Sequence, residues 1–388
     1  MTEIYILSAA RTAIGSFGGA LAGITPIDTA AHVSRAAIAR AGIAAEQVDQ
    51  VVFGHVLNTE PRDLYLSRVA AMQAGVPEST PAMNVNRLCG SGAQALVSAI
   101  QMLQLGDGAV ALAGGAEAMS RAPYALQSPR FGQKMGDTTM LDMMLGALTC
   151  PFGTGHMGIT AENVAAQYGI TRAEQDAFAL LSQSRAAQAI AEGRFVDQIA
   201  PFEISSRKGP VLFAVDEHPK ASTAEALAAL RPAFAKDGTV TAGNASGIND
   251  GAAALILARG DVAGIAPRAR VMGYAIAGVD PKVMGLGPIP AVQKLCAKLG
   301  IKPGDFDLVE SNEAFAAQAI AVSRDLGLDP ARVNPNGGAI ALGHPVGATG
   351  ALLTVKALYE LERSGGKTAL ITMCIGGGQG IALAIERV

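Results

Sequence analysis

Sliding the C-terminal part of the chain against its N-terminal part exposes an internal repeat at a constant offset of 258 residues. AGIAAEQVDQVV (41–52) overlays LGIKPGDFDLVE (299–310), matching Gly42 to Gly300, Ile43 to Ile301 and Asp49 to Asp307. The same offset sets Gly92 on Gly350, Leu103 on Leu361, Gly108 on Gly366 and Leu112 on Leu370. Two similarly built halves follow. In each, an amphipathic helix leads to a buried strand (VDQVVFG; FDLVE), a crossover, a long Ala/Leu helix, a glycine turn and another strand (AVALAGG; TALITMC). Strands alternating with helices predict an α/β fold whose parallel or mixed sheet is covered on both faces.

Residues 119–249 match nothing at that offset and read as an insertion. The expected division is therefore 1–118 with 250–269 as the N-terminal half, 119–249 as an inserted loop domain, and 270–388 as the C-terminal half. The insertion opens on a methionine-rich stretch, MGDTTMLDMMLGAL, which suits core or interface filling. It continues with TRAEQDAFALLSQSRAAQAIAEG, where Thr171 and Glu174 form a capping box. Its cations Arg207, Lys208, Lys220, Arg231 and Lys236 suit either a phosphorylated substrate tail or a solvated loop face.

Composition removes several classes of function. With 388 residues, half of them hydrophobic and a net charge of −3, the chain has a large core and no general attraction to nucleic acid or acidic membranes. The opening MTEIYILSAARTAIG has neither a basic leader nor a long apolar run, and no segment reaches membrane-spanning length, so a cytoplasmic location is expected. Cys89, Cys150, Cys296 and Cys374 lie far apart, with no zinc spacing and no disulfide framework. Cys296 occupies a helical core position, whereas Cys150 is ambiguous. GAVALAGGAEAM invites a nucleotide-binding reading but lacks GxGxxG. His32, His55 and His218 have no motif context and read as structural or solvated.

Ligands of open α/β sheets bind beyond the carboxyl ends of strands, where helices begin. Four signatures fall at such places. Cys89 (NRLCGSG) lies between a strand at 82–85 and a helix at 92–105; Asn312 and Glu313 (SNEAFAAQ) follow a strand at 306–310. His344 (NPNGGAIALGHPVGATG) precedes a helix at 348–362, and Cys374 (MCIGGGQG) ends a strand at 368–373. Each has a bland alternative, since free cysteines favour cores and glycine clusters permit tight turns. The chemical reading is that a helix N-terminus and a nearby imidazole lower the Cys89 pKa, giving a thiolate that exchanges acyl groups with other thioesters. Cys374 would be the base for carbon acidity next to a thioester carbonyl. His344 and Asn312, the latter through a water, would hold the enolate oxygen, and the N–H groups of Cys89 and Gly376 a second oxyanion.

NRLCGSG, GNASGINDGAA (243–253), NEAFAAQ, NPNGGAIALGHPVGATG and CIGGGQG, in this order, resemble the thiolase family over essentially the whole chain. The likeness is to acetyl-CoA C-acetyltransferases of the biosynthetic β-ketothiolase type, as supported by TEPRDLYLSRVAA and HMGITAENVA. It implies two βαβαβαββ-type halves in a five-layer αβαβα arrangement, an inserted loop domain and a homotetramer. It also implies an acylated Cys89 helped by His344, Cys374 as acid/base, Asn312 holding a water, and no metal or redox cofactor. Acetyl-CoA and acetoacetyl-CoA would be substrates, with coenzyme A contacts at Leu148, His156, Met157, Phe234, Ser246, Met284, Ala314 and Phe315. Two departures fall near the nucleotide: Lys220 where the family often has arginine, losing a planar stacking surface, and Ala226 where a serine can stand. A degradative 3-ketoacyl-CoA thiolase of longer-chain substrates shares the same machinery and is the alternative.

Overall fold

The computed structural model describes residues 2–205, 209–260, 262 and 266–388. Arg207 and Lys208 lie outside the described residues. The principal strands are β1 Ile4–Arg11, β2 Gln50–Gly54, β3 Ala82–Val85, β4 Val110–Ala118, β5 Asn249–Arg259, β6 Ala269–Gly278, β7 Leu308–Ser311, β8 Thr368–Ile375 and β9 Gln379–Arg387. The principal helices are α1 Pro26–Ala41, α2 Leu66–Gln73, α3 Ser91–Leu105, α4 Met157–Tyr168, α5 Arg172–Ala191, α6 Pro288–Leu299, α7 Ala316–Leu326 and α8 Thr349–Ser364. Helix ends follow local chemistry. Thr25 caps α1 by accepting the Asp28 N–H, Pro26 occupies its first turn, and Gly42 ends it at φ 68°. The Thr171/Glu174 capping box opens α5 as expected.

The strands form one continuous mixed sheet in the order β7-β8-β9-β6-β1-β5-β4-β2-β3. Within it the halves repeat: β3, β2 and β4 run parallel and β4, β5 and β1 antiparallel, while β7 and β8 run parallel and β8, β9 and β6 antiparallel. The seam between them is only two residue pairs long, Tyr5 with Arg270 and Ile6 with Ala269. The insertion leaves β4 at Ala118 and returns at Asn249, interrupting a connection between neighbouring antiparallel strands. The matching connection in the other half is a tight turn through Gly377 and Gly378, at φ 84° and 85°. The same strand-to-strand link thus carries a long segment in one half and a glycine turn in the other.

Alternation along the strands sorts side chains between layers. Leu255 and Leu257 of β5 face a central core with Leu96, Ile100 and Leu103 of α3 and Leu352, Leu358 and Leu361 of α8. Ala254 and Ile256 face the other way, onto α1 and α2. Across the molecule α6 and α7 cover β7, β8 and β9, and Cys296 is part of that core. The result is helix, sheet, helix, sheet, helix. Helices α3 and α8 meet where the repeat aligned two glycines: a methyl at Gly350 would lie 2.2 Å from Ala93 N, and one at Gly92 would lie 2.8 Å from Ala351 N. Only glycine at both positions lets the two helix N-termini come this close.

Candidate active site

Both helix N-termini open onto one pocket of about 480 Å³. Cys89, His344, Cys374 and Gly376 line it, as do Leu148, His156, Met157, Lys220, Phe234, Ser246, Met284, Ala314 and Phe315. Asn312 sits behind the wall, fully buried, with its Nδ2 3.4 Å from His344 Nε2 and its Oδ1 without a protein partner among the described residues. Arg231 and Lys236 are exposed and do not line the pocket. Strand β8 runs through Ile375, longer than the expected 368–373, because Cys374 and Ile375 pair with Gly380 and Gln379. Cys374 is therefore held in the sheet, not in the glycine loop.

His344 is fixed at its backbone N–H and at Nδ1. Its N–H donates to Asn249 Oδ1 at 2.9 Å, and Asn249 Nδ2 donates to Gly15 O at 3.0 Å. Thr349 Oγ1 donates to Pro345 O at 2.8 Å, so towards His344 Nδ1, 2.6 Å away, it can only accept. Nδ1 therefore carries the proton, which leaves Nε2 as the basic nitrogen. Neither Asn249 nor Thr349 was singled out from the sequence, although both stand inside quoted motifs, GNASGINDGAA and GHPVGATG.

The insertion supplies the outer walls. His156 caps α4, its Nδ1 accepting the Gly158 N–H at 3.1 Å, and its ring stacks on Phe234 at 4.7 Å between centroids. Phe234 in turn meets Phe315 edge-on at 6.1 Å. His218 also lines the pocket, and a methyl at Gly247 would lie 2.3 Å from its Cε1. Half-buried in the pocket wall, His218 stands where its lack of motif context gave no sign of it. Its segment is latched by a buried pair: Arg11 NH1 and NH2 donate to Asp216 at 2.7 and 2.9 Å, and Asp216 Oδ1 also accepts the Ile14 N–H at 2.8 Å. That contact joins residues about two hundred positions apart, which no local pattern announces. Cys150 is buried in the same apolar cluster as Met157 and Cys374.

Electrostatics overturn one expectation. Burial pushes the Cys89 thiol up to about 11, although the Gly376 N–H donates to its sulfur. Burial also pushes Cys374 up, with Cys89 beside it adding to the rise, and pushes His344 down to about 4. Desolvation outweighs the backbone N–H donors of Gly376 and Cys89, because a site built from apolar walls offers a lone charge little solvation. At neutral pH the two thiols and the imidazole are all uncharged. Consequently, peptide-mapped alkylation of Cys89 by iodoacetamide in the free protein is expected to rise about tenfold per pH unit from roughly pH 7.5 to 9.5. A plateau already reached at pH 7 would contradict the neutral resting state.

Residues 4–261 match the family model for the thiolase N-terminal domain, and residues 265–387 match that for the thiolase C-terminal domain. The beta-ketothiolase BktB of Cupriavidus necator is 56% identical, over 100% of this chain and 99% of that protein. The crystal structure of the Bacillus anthracis acetyl-CoA acetyltransferase superposes with a TM-score of 0.98 at 47% identity, covering 100% of this chain and 99% of the other. That of human mitochondrial 3-ketoacyl-CoA thiolase gives 0.98 at 44% identity, again over 100% and 99%.

Proposed function

This chain belongs to the thiolase family, and on that premise we propose that it is an acetyl-CoA C-acetyltransferase, condensing two acetyl-CoA to acetoacetyl-CoA and CoA. The observation that carries the reading is the convergence of the Cys89 and Cys374 thiols and the His344 imidazole on a single, mainly apolar pocket. In the first half-reaction the Cys89 proton passes to His344 Nε2 as sulfur attacks the acetyl carbonyl. The N–H groups of Cys89 and Gly376 hold the oxyanion, and the departing CoA thiolate takes the proton. In the second, Cys374 gives its proton to His344, and its thiolate then removes a proton from the methyl carbon of the second acetyl-CoA. The imidazolium, with Asn312, steadies the enolate oxygen. The carbanion attacks acetyl-Cys89, the Cys89 thiolate leaves, and His344 returns a proton to it. Each group ends as it began, and thiolysis is the reverse.

A neutral resting site suits this sequence. Charges arise only as acyl groups are transferred, and the same desolvation that suppresses the Cys374 thiolate makes it a strong base once formed. Within the insertion, read as a coenzyme A groove domain, the wall of His156, Phe234 and Ser246 would hold the pantetheine, and Lys220 the nucleotide phosphates. A homotetramer in the cytoplasm is also proposed. Supporting an assembly, Phe131 and Met135 are 92% exposed, and Tyr124, Met140 and Leu145 of the same stretch of chain are exposed too, apolar surface that a lone subunit would leave in water.

Intact-mass measurement after mixing with acetyl-CoA tests the central claim. One acetyl adduct is expected on the native chain and none on Cys89→Ser; an adduct that maps elsewhere would sink the mechanism. Thiolysis rates across 3-ketoacyl chain lengths then separate the biosynthetic reading from the degradative one.

A further inference from the structure

The stretch GAVALAGGAEAM, unsuited to nucleotide binding, ends in a buried carboxylate that the catalytic scheme above does not use. Glu117 is fully buried at the end of β4. Its Oε2 accepts the Gly347 N–H at 2.9 Å and the Val56 N–H at 3.1 Å, and its Oε1 accepts the Leu57 N–H at 3.1 Å. Val56 and Leu57 belong to the N-terminal half, whereas Gly347 lies midway between His344 and Thr349 in the other. The carboxylate therefore ties the two halves together inside the loop that aims the imidazole.

The repeat explains why this contact exists. At the 258-residue offset Cys89 falls on Gly347 and Glu117 falls on Ile375. Each turn ahead of a central helix is thus held by the last turn of strand from the opposite half. Ile375 leans on the Cys89 turn, so that a methyl at Gly90 would lie 2.5 Å from Ile375 Cδ1. Glu117 holds the His344 loop. The approach there is equally close: a methyl at Gly347 would lie 2.4 Å from Glu117 Oε2, and one at Gly115 would lie 2.3 Å from Gly347 O. The two equivalent positions have diverged in chemistry. The isoleucine packs against the Cys89 turn, whereas the carboxylate takes up the Gly347 N–H of the His344 loop, and its charge also pushes the Cys89 thiol upward. His55 supports it, with Nδ1 2.9 Å from Ala116 O and 3.4 Å from Glu117 Oε1.

We propose that Glu117 is a positioning residue: by holding Gly347 against the 55–57 turn, it sets the aim of His344 Nε2 at Cys89. The assignment rests on the acyl-transfer reading above. His344 is already held at its own N–H and at Nδ1, so the remaining freedom is movement of the 345–348 segment as a body. Glu117 removes it. A displacement of about 1 Å at a reacting group costs on the order of 10²-fold in rate.

The test is single-turnover acetylation of Cys89 by acetyl-CoA in the full-length protein, quenched and read by intact mass, for the native chain and Glu117→Gln. At saturating acetyl-CoA the variant is expected to acetylate about 30- to 100-fold more slowly. Its half-saturating concentration should change by less than about threefold, because Glu117 does not line the pocket. An unchanged rate, or a loss wholly in half-saturation, would overturn the proposal. Hydrogen exchange on the native protein provides a reading that needs no variant: peptides containing Gly347 should exchange as slowly as those of β4 and β8, and rapid exchange there would count against the tie. If the native chain itself takes up no acetyl group, the acyl-transfer reading fails, while the exchange result still decides whether Glu117 holds the loop.

Discussion

Cys374→Ala is expected to take up one acetyl group on Cys89 and then stop. The first half-reaction needs only Cys89, His344 and the N–H donors of Cys89 and Gly376, none of which the substitution removes. The second needs a base at the methyl carbon of the incoming thioester. Methyl in place of the thiol leaves an apolar surface at that point, since Cys374 is buried among Met157, Met284 and Phe315. General-base contributions are about 10²- to 10⁴-fold, and a loss in that range is expected for condensation. The measurement pairs acetyl uptake by intact mass with acetoacetyl-CoA formation. Parallel loss of both would mean that the two thiols do not divide the labour.

Asn312→Ala should lower kcat for condensation by about 10²- to 10³-fold while leaving KM for acetyl-CoA nearly unchanged, the range found for loss of one oxyanion donor. Asn312 does not line the pocket, yet its amide stands 3.4 Å from the basic nitrogen of His344. Its backbone is fixed by donation from its N–H to Thr372 O at 3.0 Å, so truncating the side chain should leave the loop in place. The interaction lost is one that strengthens as negative charge develops on the enolate oxygen, which is why the effect falls on kcat. Steady-state kinetics decide. A rise in KM at constant kcat would recast Asn312 as a binding residue, and an effect under about threefold would remove it from the catalytic set.

Much of the site can be read along the chain. The 258-residue offset points to paired halves, and the aligned glycines Gly92 and Gly350 are the contact between α3 and α8. Cys89, Asn312 and His344 each follow a strand or precede a helix, and such positions are visible in hydrophobic periodicity and turn residues, whereas Cys374 stands one residue inside the end of β8. The Thr171/Glu174 capping box marked the start of α5. His218 escaped because nothing around it announces a wall. Two residues before it Asp216 pairs with Arg11, a contact across the fold that no local pattern shows.

Local order, and therefore the set of chemically able side chains and their places at strand ends, was determined by sequence alone, because strand and helix periods and turn preferences act over a few residues. The tertiary structure decided the charge state of those side chains and their aim. Cys89 was expected to be depressed by a helix N-terminus; the fold leaves the residue half-buried but desolvates its sulfur, which carries it to about 11. His344 owes its basic Nε2 to a hydroxyl whose own hydrogen is committed to Pro345, and its loop is held by a carboxylate 230 residues away in sequence. Burial depends on every layer packed above a group, and a hydrogen bond on the relative placement of two halves. Neither quantity exists until the chain has closed on itself.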